Sequence, residues 1–230
     1  MALLGQAVLA MWWDVAAADR AELAHWHAHE HLPERLGLPG FRRASRWTDA
    51  DGGDGLCVLY ELDDHAVLSS PAYVARLNAP TPWSARMMPL HRGMVRSQCR
   101  VLASQGALTA RHLLTLRLAA QPGRAGALQQ ALGGLAATLV QQPGIVGLHL
   151  LQHQAPAMAA TTEQQIRGLA DQAADLALLV AGYDADTLRR LGEAGPAVLG
   201  DTALQALGAA AGSQRGLYSL AYAAVPADMH

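Results

Sequence analysis

The chain has 230 residues, enough for one large domain or two small ones. A hydrophobic content of 51% with 16% charged residues excludes a disordered chain. All 17 basic residues are arginine, the net charge is −2 and no basic block occurs, which argues against nucleic acid or an anionic membrane as partner.

Residues 3–13 read as an apolar strand. The opening lacks the positively charged start and the small cleavage-site residues of a signal peptide. The alanine-rich tracts further on are broken by Gly, Gln and charges before they could span a membrane. Next comes DRAELAHWHAHEHLPERLGLPGF, residues 19–41. Asp19 and Glu22 have the spacing of a capping box, and Pro33 should end the helix by pushing Leu32 out of helical geometry. At about 100° per residue, Trp26, His27 and Glu30 fall within roughly 60° of Leu23, with His31 at about 80°. His25 and His29 fall on the opposite, solvated side. A histidine at the buried edge of a helix end is expected to titrate near neutral pH, so His31, assisted by Glu30 or His27, is the candidate acid/base.

Pro39-Gly40 turns the chain into a strand at 41–48, and Asp51–Gly55 form a hairpin turn into a third strand at 56–62. A helical stretch from Asp63 to about Leu77 is interrupted at Ser70-Pro71. A proline-rich corner and a short helix to about Leu90 precede a fourth strand at 93–102. The order β-α-β-β-α-β is the ferredoxin-like arrangement. The second half repeats it, with a strand at 113–119, a helix at 122–141, Pro143-Gly144 in the place of Pro39-Gly40, a strand at 175–182, a helix at 184–191 and a strand from Arg215. The expectation is an α+β chain of two tandem repeats, 1–106 and 107–230. The second carries an inserted helix at about 154–174, where Glu163 and Arg167 form an i,i+4 pair. Its strands are apolar on both faces, so the two sheets should close on each other as an eight-stranded barrel. First-half strands instead carry polar rows, Arg42 and Arg46, Glu61, then Arg96, Gln98 and Arg100, facing water or the gap between sheets. The two cysteines, Cys57 and Cys99, lie in predicted strands without a disulfide framework, so a cytoplasmic setting is expected.

HWHAHEHLPERLGLPGF, the Arg46-Trp47 strand end, VLYEL at 58–62, SPAY at 70–73 and PTPW at 80–83 together resemble the EthD-type branch of the dimeric α+β barrel superfamily. The resemblance covers about the first hundred residues. It implies small-ring isomerase, polyketide cyclase or cofactor-free monooxygenase chemistry, or an accessory role, and maps the family's helix-end histidine onto His31. The corresponding helix of the second half has no histidine or carboxylate, so one site per chain is expected. Trp12, Trp47, Tyr60 and Trp83 are candidate aromatic walls, and His91 or Arg96 could stabilise an enolate. Acid/base catalysis on a small cyclic or aromatic compound without a cofactor therefore competes with non-catalytic ligand binding. Haem or metal binding by the His25/His29 or His27/His31 pairs ranks third, since no further ligands are apparent. Internal duplication removes the usual reason to form a homodimer without forbidding one. No phosphate loop, nucleophile elbow or dinucleotide fingerprint is present.

Overall fold

The computed structural model describes residues 2–168, 171–193 and 197–229. Runs rich in Leu, Val, Ala and aromatic residues, bounded by Gly, Pro and Asp turns, form the strands β1 (Ala7–Asp14), β2 (Phe41–Asp49), β3 (Gly55–Leu62), β4 (Arg92–Gly106), β5 (His112–Leu118), β6 (Ile145–His153), β7 (Leu176–Gly182) and β8 (Gln214–Ala224). They close into one barrel in the order β1-β3-β2-β8-β5-β7-β6-β4. The order therefore reads β4-β1-β3-β2 in the first half and β8-β5-β7-β6 in the second. The long strands β4 and β8 join them. Arg92–Arg100 pairs with β1 while Cys99–Gly106 pairs with β6, and β8 likewise bridges β2 and β5. That second pairing explains why β4 runs beyond the expected 93–102.

Helices lie outside the barrel. The histidine-bearing helix α1 comprises Arg20–Trp26, a π turn His27–His31 and Leu32–Leu36. It is followed by α2 (Pro71–Leu77), α3 (Pro82–Met87), α4 (Ala125–Gly134), α5 (Ala136–Leu139), α6 (Thr162–Ile166), α7 (Ala185–Gly192) and α8 (Asp201–Leu207). Ser70, Thr81, Thr161 and Asp184 cap their helices as acceptors, the usual chemistry of a helix start. Three apolar cores result. One lies between the first four strands and their helices, one between the last four and theirs, and one fills the barrel with residues from both halves, among them Trp12, Trp47, Leu113 and Leu179.

The two proline-glycine turns are equivalent in detail. Gly40 (φ +88°) and Gly144 (φ +96°) both adopt left-handed geometry, and a Cβ at either would meet Val67 or Thr187. Their carbonyls accept from Asp63 and Tyr183, each at 2.9 Å.

Several local expectations are corrected. Asp19 sits in a helical conformation and makes no side-chain cap bond, because a 3₁₀ turn (Ala17–Asp19) leads directly into α1. Pro33 does not end α1: Leu32 keeps φ −70° and ψ −44°. The expected helix 122–141 starts at Ala125 and breaks at Leu135, just after Gly133-Gly134, a weak point for helix. The inserted helix is short, Thr162–Ile166, and residues 169–170 of that segment lie outside the described residues. Strand β7 is buried throughout, as its composition requires, but β8 is half-buried along most of its length. Helix α8 had no counterpart in the sequence reading.

The polar rows divide by face. Arg42 and Arg100 reach the surface, Arg46 and Arg96 lie on the helix side, and Glu61 points into the barrel. There Glu61 meets Arg43, which donates from Nε and Nη2 at 2.5 and 2.8 Å, and Leu4 N–H at 2.6 Å. Both charged side chains are almost wholly buried. Removing one partner strands the other charge in a low-dielectric interior. Glu61→Ala is therefore expected to lose about 3–5 kcal/mol in urea denaturation. Arg43→Met with Glu61→Leu should recover most of that loss; a single-variant loss below about 1 kcal/mol would contradict the account.

Candidate functional site

Strand parity decides what faces the helices. On β1, Leu9, Met11 and Trp13 point toward α1, whereas Val8, Ala10 and Trp12 point into the barrel. Above that outer face lies a cavity walled by Met11 and Trp13, Tyr60 of β3, Met94 and Arg96 of β4, and His27, His31 and Arg35 of α1. Tyr73 of α2, His91, and Glu163 and Arg167 from the inserted segment complete it. Its volume is about 30 Å³, room for a water or two and no more.

The π turn shapes this wall. Leu32 N–H bonds the His27 carbonyl, five residues back rather than four, and Pro33, which has no N–H to give, follows directly. The widened turn lets the helix pass its proline and continue to Leu36, which carries Arg35 into the cavity one turn beyond His31. The His27 and His31 rings lie 5.6 Å apart and nearly parallel, with Trp26 at 4.8 and 4.3 Å from them. Trp13 approaches His27 at 5.9 Å and His91 at 4.7 Å.

The inserted segment closes the top. Arg35 donates to Glu163 at 2.5 Å, with both side chains almost fully buried. Arg167 is bound to Asp171 through two hydrogen bonds, at 3.2 and 2.7 Å. Arg96 donates to the Tyr73 hydroxyl at 2.9 Å and has no carboxylate partner among the described residues.

Polar atoms around this cavity lack partners. Of eleven buried side-chain nitrogens and oxygens without a hydrogen bond among the described residues, six belong to its lining: Trp13 Nε1, His27 Nδ1, His31 Nδ1, both His91 nitrogens and the Tyr60 hydroxyl. Buried polar groups are normally satisfied, so such a concentration marks a place for a polar guest. Burial is also the main cause that holds all three imidazoles neutral. His31 is pushed well below the usual histidine range by burial, then by Arg35 and its neighbouring histidines. His27 is lowered by burial, then by Arg46 and His91. His91 is lowered to about 3, again chiefly by burial. The expectation that His31 titrates near neutral pH is thus corrected, because guanidinium groups and a dry wall both oppose an imidazolium there.

The structure brings His31, His27, Tyr60, His91 and Arg96 together, and separates the other named residues from them. Glu30 turns to the far side of α1, where it accepts from Trp26 Nε1 (3.0 Å), Thr81 Oγ1 (2.5 Å) and Ser84 Oγ (3.2 Å), a fastening between α1 and α3. Trp12 and Trp47 point into the barrel, donating to Thr115 Oγ1 and Ser45 Oγ. Trp83 packs on His25 with centroids 5.3 Å apart. His25 and His29 are exposed, and the described residues contain no group of three or more His, Cys, Asp or Glu arranged to hold a metal ion. Trp13, Arg35, Tyr73, Glu163 and Arg167 are lining residues that sequence reasoning missed. Arg35 is i+4 from His31 and would have been found had the helix been carried past its proline.

No protein-family model matches the chain, and no curated protein is significantly similar to it. Solved structures do resemble it. An anthrone oxidase-like protein is 12% identical with a TM-score of 0.66, over 98% of this chain and 96% of that one. A protein with a provisional monooxygenase name from Fusobacterium nucleatum is 12% identical with a TM-score of 0.59, over 96% and 95%. Another, from Lactobacillus acidophilus, is 9% identical with a TM-score of 0.56, over 97% of each chain. The fold is a ferredoxin-like α+β barrel. At these identities the likeness establishes that fold alone, and it extends over both halves of the chain. No helix among the described residues is long and apolar enough to cross a membrane.

Three imidazoles neutral in the folded protein but free to protonate when unfolded tie stability to pH. Their folded pKa values lie below the unfolded value of about 6.5, so the unfolded state binds more protons as pH falls below that point, and stability falls with it. His91→Leu should flatten this dependence between pH 6 and 5 by up to about 1.4 kcal/mol per pH unit, read from urea midpoints; an unchanged slope would show that His91 is already protonated in the fold.

Proposed function

We propose that the protein is a small-molecule-binding enzyme of the EthD type, built from two tandem ferredoxin-like repeats, 1–106 and 107–230. It carries out cofactor-independent acid/base chemistry on a small cyclic or aromatic carbon acid, with His31 taking the proton. The observation that carries this reading is the convergence of unpartnered, neutral imidazoles on one sheltered cavity. Equal strand order in the two halves and the matched Gly40 and Gly144 turns support the repeat.

A neutral imidazole is ready to accept a proton at any pH above its own lowered pKa. Its weakness as a base is offset once the substrate becomes negative, since an enolate or phenolate beside it favours the imidazolium in a dry site. The C–H bond of the substrate breaks, its proton goes to His31, and the electron pair is delocalised onto the substrate oxygen. Arg96, without a carboxylate partner among the described residues, stabilises that oxygen, and the Tyr60 hydroxyl and His91 donate to it. His27 stacks beside His31 and is a second imidazole for proton transfer. Return of the proton to another carbon gives isomerisation. With dioxygen as co-reactant the carbanion is oxidised instead; for anthrone, one dioxygen yields anthraquinone and one water.

This chemistry requires the small cavity to open. Substrate entry requires α6 to lift with Glu163, which parts the Arg35–Glu163 pair, and closing it again excludes water. The same closure would suit a protein that only sequesters its ligand, the second reading.

Anthrone incubated anaerobically in D₂O tests the proton step, with exchange of its acidic C–H followed by NMR. The wild-type chain should accelerate exchange, and a folded His31→Ala variant should lose about 100-fold or more of that acceleration. Oxygen uptake in air then distinguishes oxidation from isomerisation. Equal exchange by wild type and His31→Ala removes this mechanism, and anthrone bound but never exchanged favours sequestration.

A further inference from the structure

On the other flank of α1 lies a second and far larger cleft, of about 450 Å³, within the usual size of small-ligand sites. It runs between the first turns of α1 and the β2–β3 hairpin. Its floor is Val15, Leu23, Leu56 and Arg46, all buried. None of these residues lines the histidine cavity, and the helix turn bearing Leu23, Ala24 and His27 stands between the two spaces.

Arg46 makes this cleft more than an apolar groove. Its residue is only 8% exposed, and one Nη donates to the Ala24 carbonyl at 2.9 Å. Its guanidinium carbon lies 5.9 Å from the Tyr222 ring centre. No carboxylate pairs with it among the described residues, in contrast to the more deeply buried Arg35 and Arg43. The other charges at the cleft are already engaged at its rim. Arg20 and Asp54 form an ion pair at 2.5 Å, with Arg92 on the second Asp54 oxygen. Asp49 accepts from the backbone N–H groups of Asp51 and Gly53. A buried guanidinium without an anion, at the bottom of an open apolar cleft, is an incomplete ion pair.

We propose that this cleft is a second binding site, for a small organic acid with an apolar body, whose carboxylate completes Arg46 while its hydrocarbon covers Val15, Leu23 and Leu56. The two sites share no lining residue. The bound acid would lie against the first turns of the helix that carries His27 and His31.

Isothermal titration of the full chain with 1-naphthoate, 1-naphthamide and 1-naphthylmethylammonium tests it. The acid should bind one per chain, about ten-fold or more tighter than the amide or the cation, as expected when a charge-assisted hydrogen bond is formed. Arg46→Gln should abolish that preference, and His31→Ala should leave it intact. Should Arg46→Gln fail to fold by circular dichroism, Ala21→Trp carries the test: residue 21 is exposed on α1, and the indole should fill the cleft and block the acid. The proposal is overturned if the acid does not bind by about 1 mM or shows no preference over the amide. It is equally overturned if the preference survives Arg46→Gln or Ala21→Trp, or if His31→Ala removes it, since the acid then occupies the histidine cavity.

Discussion

Closure of the sheet is the constraint from which the remaining features follow. Eight antiparallel strands joined through the β2–β8 and β4–β6 pairs close the sheet, so each strand has a neighbour on both sides. The interior is filled by side chains from both halves, including two tryptophans and the Arg43–Glu61 pair. Both cavities discussed above lie outside the sheet, beneath the helices.

Within that constraint, helix α1 decides what the outer face can do. Its π turn makes two histidines neighbours over the sheet and lets the helix run past Pro33, so that Arg35 joins them. The Coulomb field of Arg35, Arg46 and Arg167 acts in the same direction as burial, and both oppose an imidazolium. A site that is neutral when empty but bordered by guanidinium groups favours a guest that becomes negative. The two halves are also interdependent here. Glu163 and Arg167, from the inserted segment of the second half, roof a cavity whose walls belong to the first, and the buried Arg35–Glu163 pair links them. The second half thus contributes closure rather than a duplicate imidazole.

Much of the architecture was legible in the sequence, because turn chemistry is local. Pro39-Gly40, Pro143-Gly144 and the Asp51–Gly55 hairpin each act through geometry that their own residues impose, and the elements they bound lie within a few residues of expectation. Two exceptions involve a non-local partner. Strand β4 is long because β6 pairs with its second half, and α1 continues through a proline because its wall is packed against the sheet.

For the site, the sequence by itself determined the histidine-rich helix, with His27 and His31 on its buried side and His25 and His29 toward water; the 3.6-residue period suffices for that. It could not decide between Trp12 and Trp13. Every β1 residue but the last is buried, so alternation carries no signal, and only the packing of the second sheet against the inner face sends Trp12 inward and Trp13 to the histidines. Glu30 lies near the buried stripe on the wheel, yet the arrival of α3 draws its carboxylate to Thr81 and Ser84. The reach of Glu163 across 128 residues to Arg35 was likewise set by tertiary structure alone. Periodicity specifies which side of an element is apolar, whereas the identity of the groups that meet there depends on which other elements fold over it.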